Sequence, residues 1–437
     1  MNIRTVVWPI FVEQLMRMSL MTLDIFMLAQ YSNEAVAAVG LTGHFIFFLM
    51  LSYMIVSSGS AILIGQNLGA KKLIIAQQYS QNGLLLALLG SVVIGTLFYF
   101  GSPSFIHLYN LEPKVETFAV QYSVILGGLS VGISLSIMLS TILRAFGYSK
   151  SPMVIQLIAG FINLIGNYVA IFPPFGLPQT GVVGVAFATV LSQVVSAVIC
   201  WYIIKLHKIP LSFRAIFKPD GAKLKKILTL GFPNAGESIS YTMAQILIMY
   251  FVAMLGSAAL AAVAIVQALS RVMFVFALSL GNGVQILASF FIGQGRSLEL
   301  KHKVSRYWIV GLCISTLVTL SMVIARDFIA GVFTNDPETQ HLIAILLIAS
   351  LFLESGRAIN LIVISALKGT GDVVFPVQIG IVIMWGVGVL FAYLFGIYWG
   401  FGVVGIWLAV GLDEWVRGVI MILRWQGEKW TSKGTTE

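Results

Sequence analysis

Twelve apolar runs, each longer than 20 residues, divide this chain of 437 residues. They fall at 6–29, 35–66, 73–100, 117–145, 152–172, 181–204, 226–255, 259–292, 304–325, 341–367, 373–395 and 402–423. An α-helix rises about 1.5 Å per residue, so roughly 20 apolar residues cross the hydrocarbon core of a bilayer. Each run therefore predicts a membrane-spanning helix, and the longer ones predict tilt or protrusion. The first, TVVWPIFVEQLMRMSLMTLDIFMLAQ at 5–30, carries Glu13, Arg17 and Asp24. Steps of four and seven residues put these three on nearly one helical face. An ionisable group in lipid costs about 3 kcal/mol or more unless it pairs or lines a cavity, so this stripe must face protein or water.

The pattern also repeats. Sliding the sequence on itself by 224 residues sets Trp8, Pro9 and Glu13 against Phe232, Pro233 and Glu237, and AVAAV from Ala35 against ALAAV from Ala259. At the same shift Leu143, Arg144, Gly147 and Pro152 meet Leu367, Lys368, Gly371 and Pro376. Gly65-Gln66 matches Gly293-Gln294 after a further shift of four, and Gly181-Val-Val-Gly184 matches Gly402-Val-Val-Gly405 at 221. Six helices have been duplicated. Because six is even, both copies start from the same side, which makes a parallel repeat about an axis along the membrane normal. The expected fold is an all-α polytopic membrane protein of twelve transmembrane helices in two six-helix lobes. The amino-terminal lobe is 1–204, a basic linker 205–222, the carboxy-terminal lobe 223–425 and a tail 426–437.

Composition agrees with this pattern: 58% of residues are hydrophobic and 10% charged, with a mean hydropathy of +0.95. A soluble globule carries about 25% charged residues, so that class is excluded. The 16 Met, 29 Phe and 42 Gly suit helices that approach closely and fill gaps with soft side chains. A net charge of +9 could suggest nucleic acid, so the placement of the bases decides. With the amino terminus inside, 20 of the 26 Lys and Arg fall in inner segments, counting Arg144, Lys226 and Arg306 at the inner ends of spans, two outside (Lys114 and Arg326) and four deep within spans (Arg17, Arg271, Arg357 and Arg417). The positive-inside rule then puts both termini in the cytoplasm. The linker, with Pro210 and Pro219, reads as a solvated inner loop attracted to anionic lipid, not to nucleic acid. The proline-rich outer turn at 172–178 leaves little room for an external domain. The first span has no small-residue cleavage site behind a short apolar core, so it is expected to remain as a helix. Cys200 and Cys313 both fall in apolar runs and read as small buried hydrophobes.

Asp24 is the residue expected to carry function, because the repeat places Ile248 at its counterpart: an acid kept in only one copy points to a coupling site more than to scaffold. It lies about 8 Å before the end of its span, toward the outer face where an exporter accepts its driving ion. Glu13 and Arg17, four apart, either neutralise each other or belong to the pathway. Glu354 and Arg357 in the tenth span pose the same choice. Glu237, Tyr241 and Gln245, at steps of four, form a polar stripe in the seventh span and with those four residues a possible second polar or substrate site. Asp413, Glu414 and Arg417 are expected to pair structurally. Asn163 and Asn167 share one face of the fifth span, and Thr189 lies in the sixth; such residues mostly bond neighbouring helices, yet their oxygens also suit a hard cation or the proton of an acid. His44 is expected to pack or bond locally. No phosphate-binding loop, zinc-ligand spacing or nucleophile elbow occurs, so the chain is not expected to be an enzyme and needs no cofactor; energy would come from an ion gradient.

Trp8-Pro9, Leu23-Asp24, Ala35 to Gly40, Gly65-Gln66 with Gly69-Ala70, Leu143-Arg144 to Pro152, Gly181 to Thr189, Pro233 to Glu237 and Leu367 to Pro376 together resemble the multidrug and toxic compound extrusion (MATE) family. The resemblance covers nearly the whole chain. It implies two six-helix lobes around a central cleft and export of cationic or amphipathic compounds in exchange for protons or sodium ions. In members with an amino-lobe cation site, the first-span acid matches Asp24, an Asn and an Asp four apart match Asn163 and Asn167, and the sixth-span threonine matches Thr189. Asn167 replaces the second acid and so removes a negative charge, which favours the proton as driving ion over Na+. No certain metal site is implied. In the NorM-like branch a second site uses acids of the seventh and tenth spans; here Glu237 lies one turn past Pro233 and Arg357 falls near the place of the tenth-span acid.

The expected function is an ion-coupled antiporter working by alternating access, a monomer of the bacterial inner membrane whose partners are small amphipathic or cationic molecules and membrane lipid. The rival is a lipid-linked saccharide flippase, which wants a strongly cationic cavity. The spans hold four bases against six acids (Glu13, Asp24, Glu237, Glu354, Asp413 and Glu414), a balance that favours cationic cargo.

Overall fold

The structure is a computed structural model that describes residues 3–173, 178–212 and 216–434, with only the backbone of Met21. Residues 174–177 of the outer turn, Arg214 of the linker and 435–437 of the tail lie outside the described residues. In lipid a single crossing segment can satisfy its backbone N–H and C=O groups only as a helix, and helices account for nearly all of the chain. The first half holds α1 (Ile3–Tyr31), α2 (Asn33–Gly69), α3 (Leu73–His107), α4 (Pro113–Gly128), α5 (Val131–Ala145), α6 (Lys150–Ile171) and α7 (Gly181–Leu206). The second holds α8 (Gly221–Met254), α9 (Ser257–Gly293), α10 (Ser297–Ile324), the short α11 (Arg326–Phe333), α12 (Pro337–Gly369), α13 (Val374–Tyr398) and α14 (Gly402–Gln426). Helices α4 and α5, bent by 47° where they meet, are together long and apolar enough for one crossing.

By length and composition nine of the described helices suit a membrane crossing, or ten with the bent pair. Helices α1 and α14, of 29 and 25 residues, are long enough as well but carry the ionisable stripes. These make twelve spans in two sets of six.

The repeat survives in the backbone. Asn33, Leu73, Pro113 and Lys150 begin helices, and Ser257, Ser297, Pro337 and Val374 do so 224 residues later. After α5 the chain turns through Gly147 at φ +91°, and after α12 through Gly371 at φ +95°. In both turns the next residue's N–H closes a six-residue cap, Tyr148 onto the Leu143 carbonyl at 2.9 Å and Asp372 onto the Leu367 carbonyl at 3.1 Å. This C-terminal cap requires a left-handed residue, and glycine adopts that conformation without steric cost. The same cap ends α2 at Lys71 (φ +61°) and α9 at Gly295 (φ +71°). The halves therefore keep the 224 register there, and the extra shift of four for Gly65-Gln66 is corrected: the turn, not the Gly-Gln pair, fixes where each helix stops. The copies differ in three places. The unbroken α3 corresponds to α10 followed by the separate α11. The α4–α5 bend becomes the continuous 33-residue α12, and α13 contains π-helical turns at Met384–Val389 and Leu394–Tyr398 where α6 is regular.

Packing divides the chain into two compact units, Met1–Leu68 with Lys72–Ala235, and Gly69–Lys71 with Gly236–Glu437. The boundary falls inside α8, not in the linker. The reason is close backbone approach: a Cβ on Gly59 would collide with the Ile227 carbonyl, and one on Gly231 with the Ile55 carbonyl, so the first turns of α8 lie directly on α2. Asp220 adds a tether, its N–H donating to Asn82 Oδ1 at 2.9 Å while its carboxylate caps α8 through the N–H groups of Ala222 and Lys223. Those bonds, led by the one from the Lys223 ammonium, hold its carboxyl below the usual carboxylate range. Nor is the linker simply solvated, since Ile209, Leu211 and Ile216 are buried.

In the amino-terminal unit α6 packs between α1 and α7. In the carboxy-terminal unit α12 is the central rod, against α9, α10 and α14. Lipid offers no hydrophobic drive between helices, so small residues that permit tight contact matter most: Gly166 faces Ala188 across α6 and α7, and Gly356 faces Trp415 across α12 and α14.

Candidate functional site

Each unit contains a charged constellation. In the amino-terminal unit, α1 presents Glu13 on its inner half. Arg144, from the last turn of α5, donates to Glu13 Oε1 and Oε2 at 2.6 and 2.7 Å, while the half-exposed Arg17 donates to Oε1 at 3.2 Å. The buried partner of Glu13 is thus chiefly Arg144, a residue that topology alone counts among the inner-segment bases. The other copy does the same: Lys368, at the end of α12, donates to Glu237 Oε2 on α8 at 2.5 Å. Both pairs join residues 131 apart and both are related by the 224-residue repeat. They are best read as fasteners between the first and fourth helices of each copy.

Further along α1, Asp24 accepts a hydrogen bond from Asn167 Nδ2 at 2.6 Å. The same Asn167 amide lies 3.3 Å from Asn163 Oδ1, and Asn163 Nδ2 donates to Thr189 Oγ1 at 3.1 Å. Thr189 spends its own proton on the Val185 carbonyl at 3.0 Å. The four residues expected from sequence therefore come together, but as a chain and not a ring: among the described residues only Asn167 hydrogen-bonds Asp24. Asn163 sits one turn earlier on α6, and Thr189 lies beyond it on α7. Asn167 is fully buried, and its Oδ1 has no hydrogen-bond partner. The buried hydroxyl of Tyr122, on α4, lies within electrostatic range of Asp24; nothing in the sequence pattern singled it out.

The carboxy-terminal unit gathers residues that the sequence split into a pair, Glu354 with Arg357, and a trio, Asp413, Glu414 and Arg417. Arg357 on α12 donates to Glu354 Oε1 at 2.7 Å and to Glu414 Oε1 on α14 at 3.3 Å. Arg417 pairs with Asp413 and, at 3.3 Å, with Glu414, and Asn360 donates to Glu414 Oε2 at 2.8 Å. Three acids and two guanidinium groups form one buried network spanning two helices. Tyr241 and Gln245 leave the stripe of Glu237 and line a cavity of about 500 Å³ with Arg271 and Arg357.

This pairing corrects the weight given to the tally of acids and bases. Five of the six span acids are held by bases, so their count does not report the charge of a cargo. Among the described residues, Asp24 is the one span acid with no basic partner, and of the four bases deep within spans Arg271 is the one with no acidic partner. The repeat makes the contrast sharper. The counterparts of Asp24, Asn163, Asn167 and Thr189 are Ile248, Val387, Phe391 and Val410, all apolar, whereas Arg271 stands opposite Phe47. Among the described residues no cluster of three or more His, Cys, Asp or Glu is placed to hold a metal ion.

Site geometry rests on the α6–α7 contact. A Cβ on Gly166 would stand 2.5 Å from Ala188 Cβ, one residue from both Asn167 and Thr189. Overpacking of this kind costs about 1–3 kcal/mol. Gly166→Ala is therefore expected to push the helices apart and lower efflux while leaving all four polar residues in place, measured as transport rate per molecule in the membrane; an unchanged rate would show that the chain tolerates a looser contact.

A twelve-span helical fold duplicated in sequence, with an unpaired acid inside one copy and a cavity inside the other, defines an integral membrane transporter. The chain belongs to the MatE family, whose model matches residues 9–169 and 233–394. It is 33% identical over 431 residues to the uncharacterized transporter YisQ of Bacillus subtilis, with 98% of this chain and 94% of that one covered. To the probable multidrug resistance protein NorM of Thermotoga maritima it is 26% identical over 432 residues, covering 97% and 92%. A solved structure described as MATE in the bent conformation shares the fold with a TM-score of 0.90 at 19% identity, covering 98% of this chain and 94% of that one.

Proposed function

We propose that this transporter is an antiporter of the bacterial inner membrane that exports amphipathic or cationic organic compounds in exchange for an ion, with Asp24 as the coupling residue and the proton as the ion. The observation that carries the reading is that Asp24 alone among the span acids lacks a basic partner and instead faces a neutral amide. A part-buried carboxylate within a membrane span and without a counter-charge is costly, and taking up a proton or a cation removes that cost. Asn167 suits either protonation state of Asp24. Its Nδ2 donates to the carboxylate as seen here, and its unpartnered Oδ1 can accept from the protonated acid after the amide turns over. Asn163 and Thr189 hold the other end of this chain without adding charge. Asn167 adds no second negative charge beside Asp24, which supports the proton over Na+. The chain acts as a monomer in this reading, and the excess of inner-segment Lys and Arg supports cytoplasmic termini.

Expression in a strain stripped of drug pumps, scored for ethidium efflux, tests the export reading. Gradient-dependent efflux is expected. Absence of efflux for every cation tried, together with rescue of envelope synthesis, would favour the lipid-linked saccharide flippase instead. Asn167→Asp rebuilds a two-acid site and is expected to make efflux depend on sodium, read by replacing sodium with choline at fixed pH; efflux that remains indifferent to sodium would remove any cation role for this position.

A further inference from the structure

We propose that the cavity of the carboxy-terminal lobe is a binding site for the carboxylate head of an amphipathic organic anion or zwitterion, with Arg271 as its counter-ion. The proposal rests on the reading of the chain as an exporter and names a class of compound that its second lobe would take. At about 500 Å³ the cavity has the size of a small-molecule site. Its charge is one-sided, because among the described residues two guanidinium groups and no carboxylate line it. Arg357 is already committed to Glu354 and Glu414 and lies 4.9 Å over the Phe274 ring, so it frames the wall without offering a free charge. Arg271 differs. It lies about 21 Å along α9 at 1.5 Å per residue, has no hydrogen-bond or ion-pair partner among the described residues, and faces the cavity. Arg271 is exposed and its donors are uncommitted, so a ligand carboxylate in the cavity would supply both its missing charge and a planar acceptor matching its fork of donors.

The rest of the wall fits an amphipath. Trp407, fixed by its Nε1 donating to Ser350 Oγ at 3.0 Å, offers a rigid apolar face with Met249, Ile406 and Val410. Ile406 and Val410 come from the same helix as the buried acids, yet those acids point into the network and not into the cavity. A single free guanidinium balances one negative charge, which favours a carboxylate over a phosphate monoester or pyrophosphate. The site is particular to this lobe, since Phe47 stands at the repeat-related position.

Calorimetry on the full chain in lipid nanodiscs, with three probes sharing one aromatic body, tests the assignment: 2-naphthylacetate, 2-naphthylethylammonium and 2-naphthyl phosphate. The acetate is expected to bind more tightly than either of the others. Arg271→Gln is expected to weaken it at least about tenfold, and Arg271→Lys by less, because a charge-assisted hydrogen bond is being removed or only degraded. Tighter binding of the ammonium or the phosphate, or an acetate affinity unchanged in Arg271→Gln, would overturn the proposal. Phe47→Leu, at the repeat-related position of the other lobe, is expected to bind the acetate as the parent does. If the parent shows no gradient-driven efflux while this binding pattern holds, the coupling reading falls alone; if the pattern fails while efflux persists, the cavity assignment falls alone.

Discussion

Arg417→Leu is expected to strip the carboxy-terminal lobe of most of its stability. The substitution leaves Asp413, buried and bonded to Arg417 alone among bases, as an uncompensated charge, and it removes one of the two guanidinium groups on Glu414. Breaking a buried ion pair from one side costs about 3–5 kcal/mol, a large part of a total stability of about 5–15 kcal/mol. The check is the thermal midpoint of the purified protein and its yield in the membrane. Asp413→Leu added to Arg417→Leu is expected to recover part of the loss, because it removes the orphaned charge as well. A single variant that melts with the parent would mean that the network contributes nothing to the fold.

The second large effect is functional. Asp24→Asn keeps the size and most of the hydrogen-bonding capacity of the side chain, and Asn167 can turn its amide to accept from it, so the helix contacts of α1 with α6 are expected to survive. What disappears is the ability to exchange a proton. A gradient acts only through a group whose occupancy differs between the states being driven, so efflux under an imposed proton gradient is expected to fall to the background of vesicles lacking the protein. Folding controls for the same variant, by thermal midpoint, should stay near the parent. Normal gradient-driven efflux in Asp24→Asn would move attention to Glu237 and Glu354.

Much of the fold was legible in the sequence because hydropathy and duplication report it directly. Twelve runs gave twelve spans, and the register of 224 reappears in four helix starts and in the paired turns at Gly147 and Gly371. The Asp24 chain was legible because Asn163 and Asn167 lie one turn apart on α6 and their repeat counterparts are apolar. Long-range pairing was harder to see. Arg144 and Lys368 sit where topology alone explains a base, and only the fold brings them onto Glu13 and Glu237, although an equal spacing of 131 in both copies was a signal that could have found them. Likewise the local pairs Glu354–Arg357 and Asp413–Arg417 could be read from spacing, but their fusion depends on α12 lying against α14. The bend between α4 and α5 has no proline to announce it, and the π turns of α13 accompany glycines at 386 and 388 that a hydropathy pattern passes over.

The claim at the centre of this account is that Asp24 exchanges a proton for cargo, and proton release on binding tests it most directly. Purified protein in weakly buffered detergent solution, held at a pH where the parent has taken up the proton, is mixed with ethidium while a pH-sensitive dye is followed. The account predicts that the parent releases protons in step with ethidium binding and that Asp24→Asn binds ethidium with no release. Equal release from both proteins would contradict it.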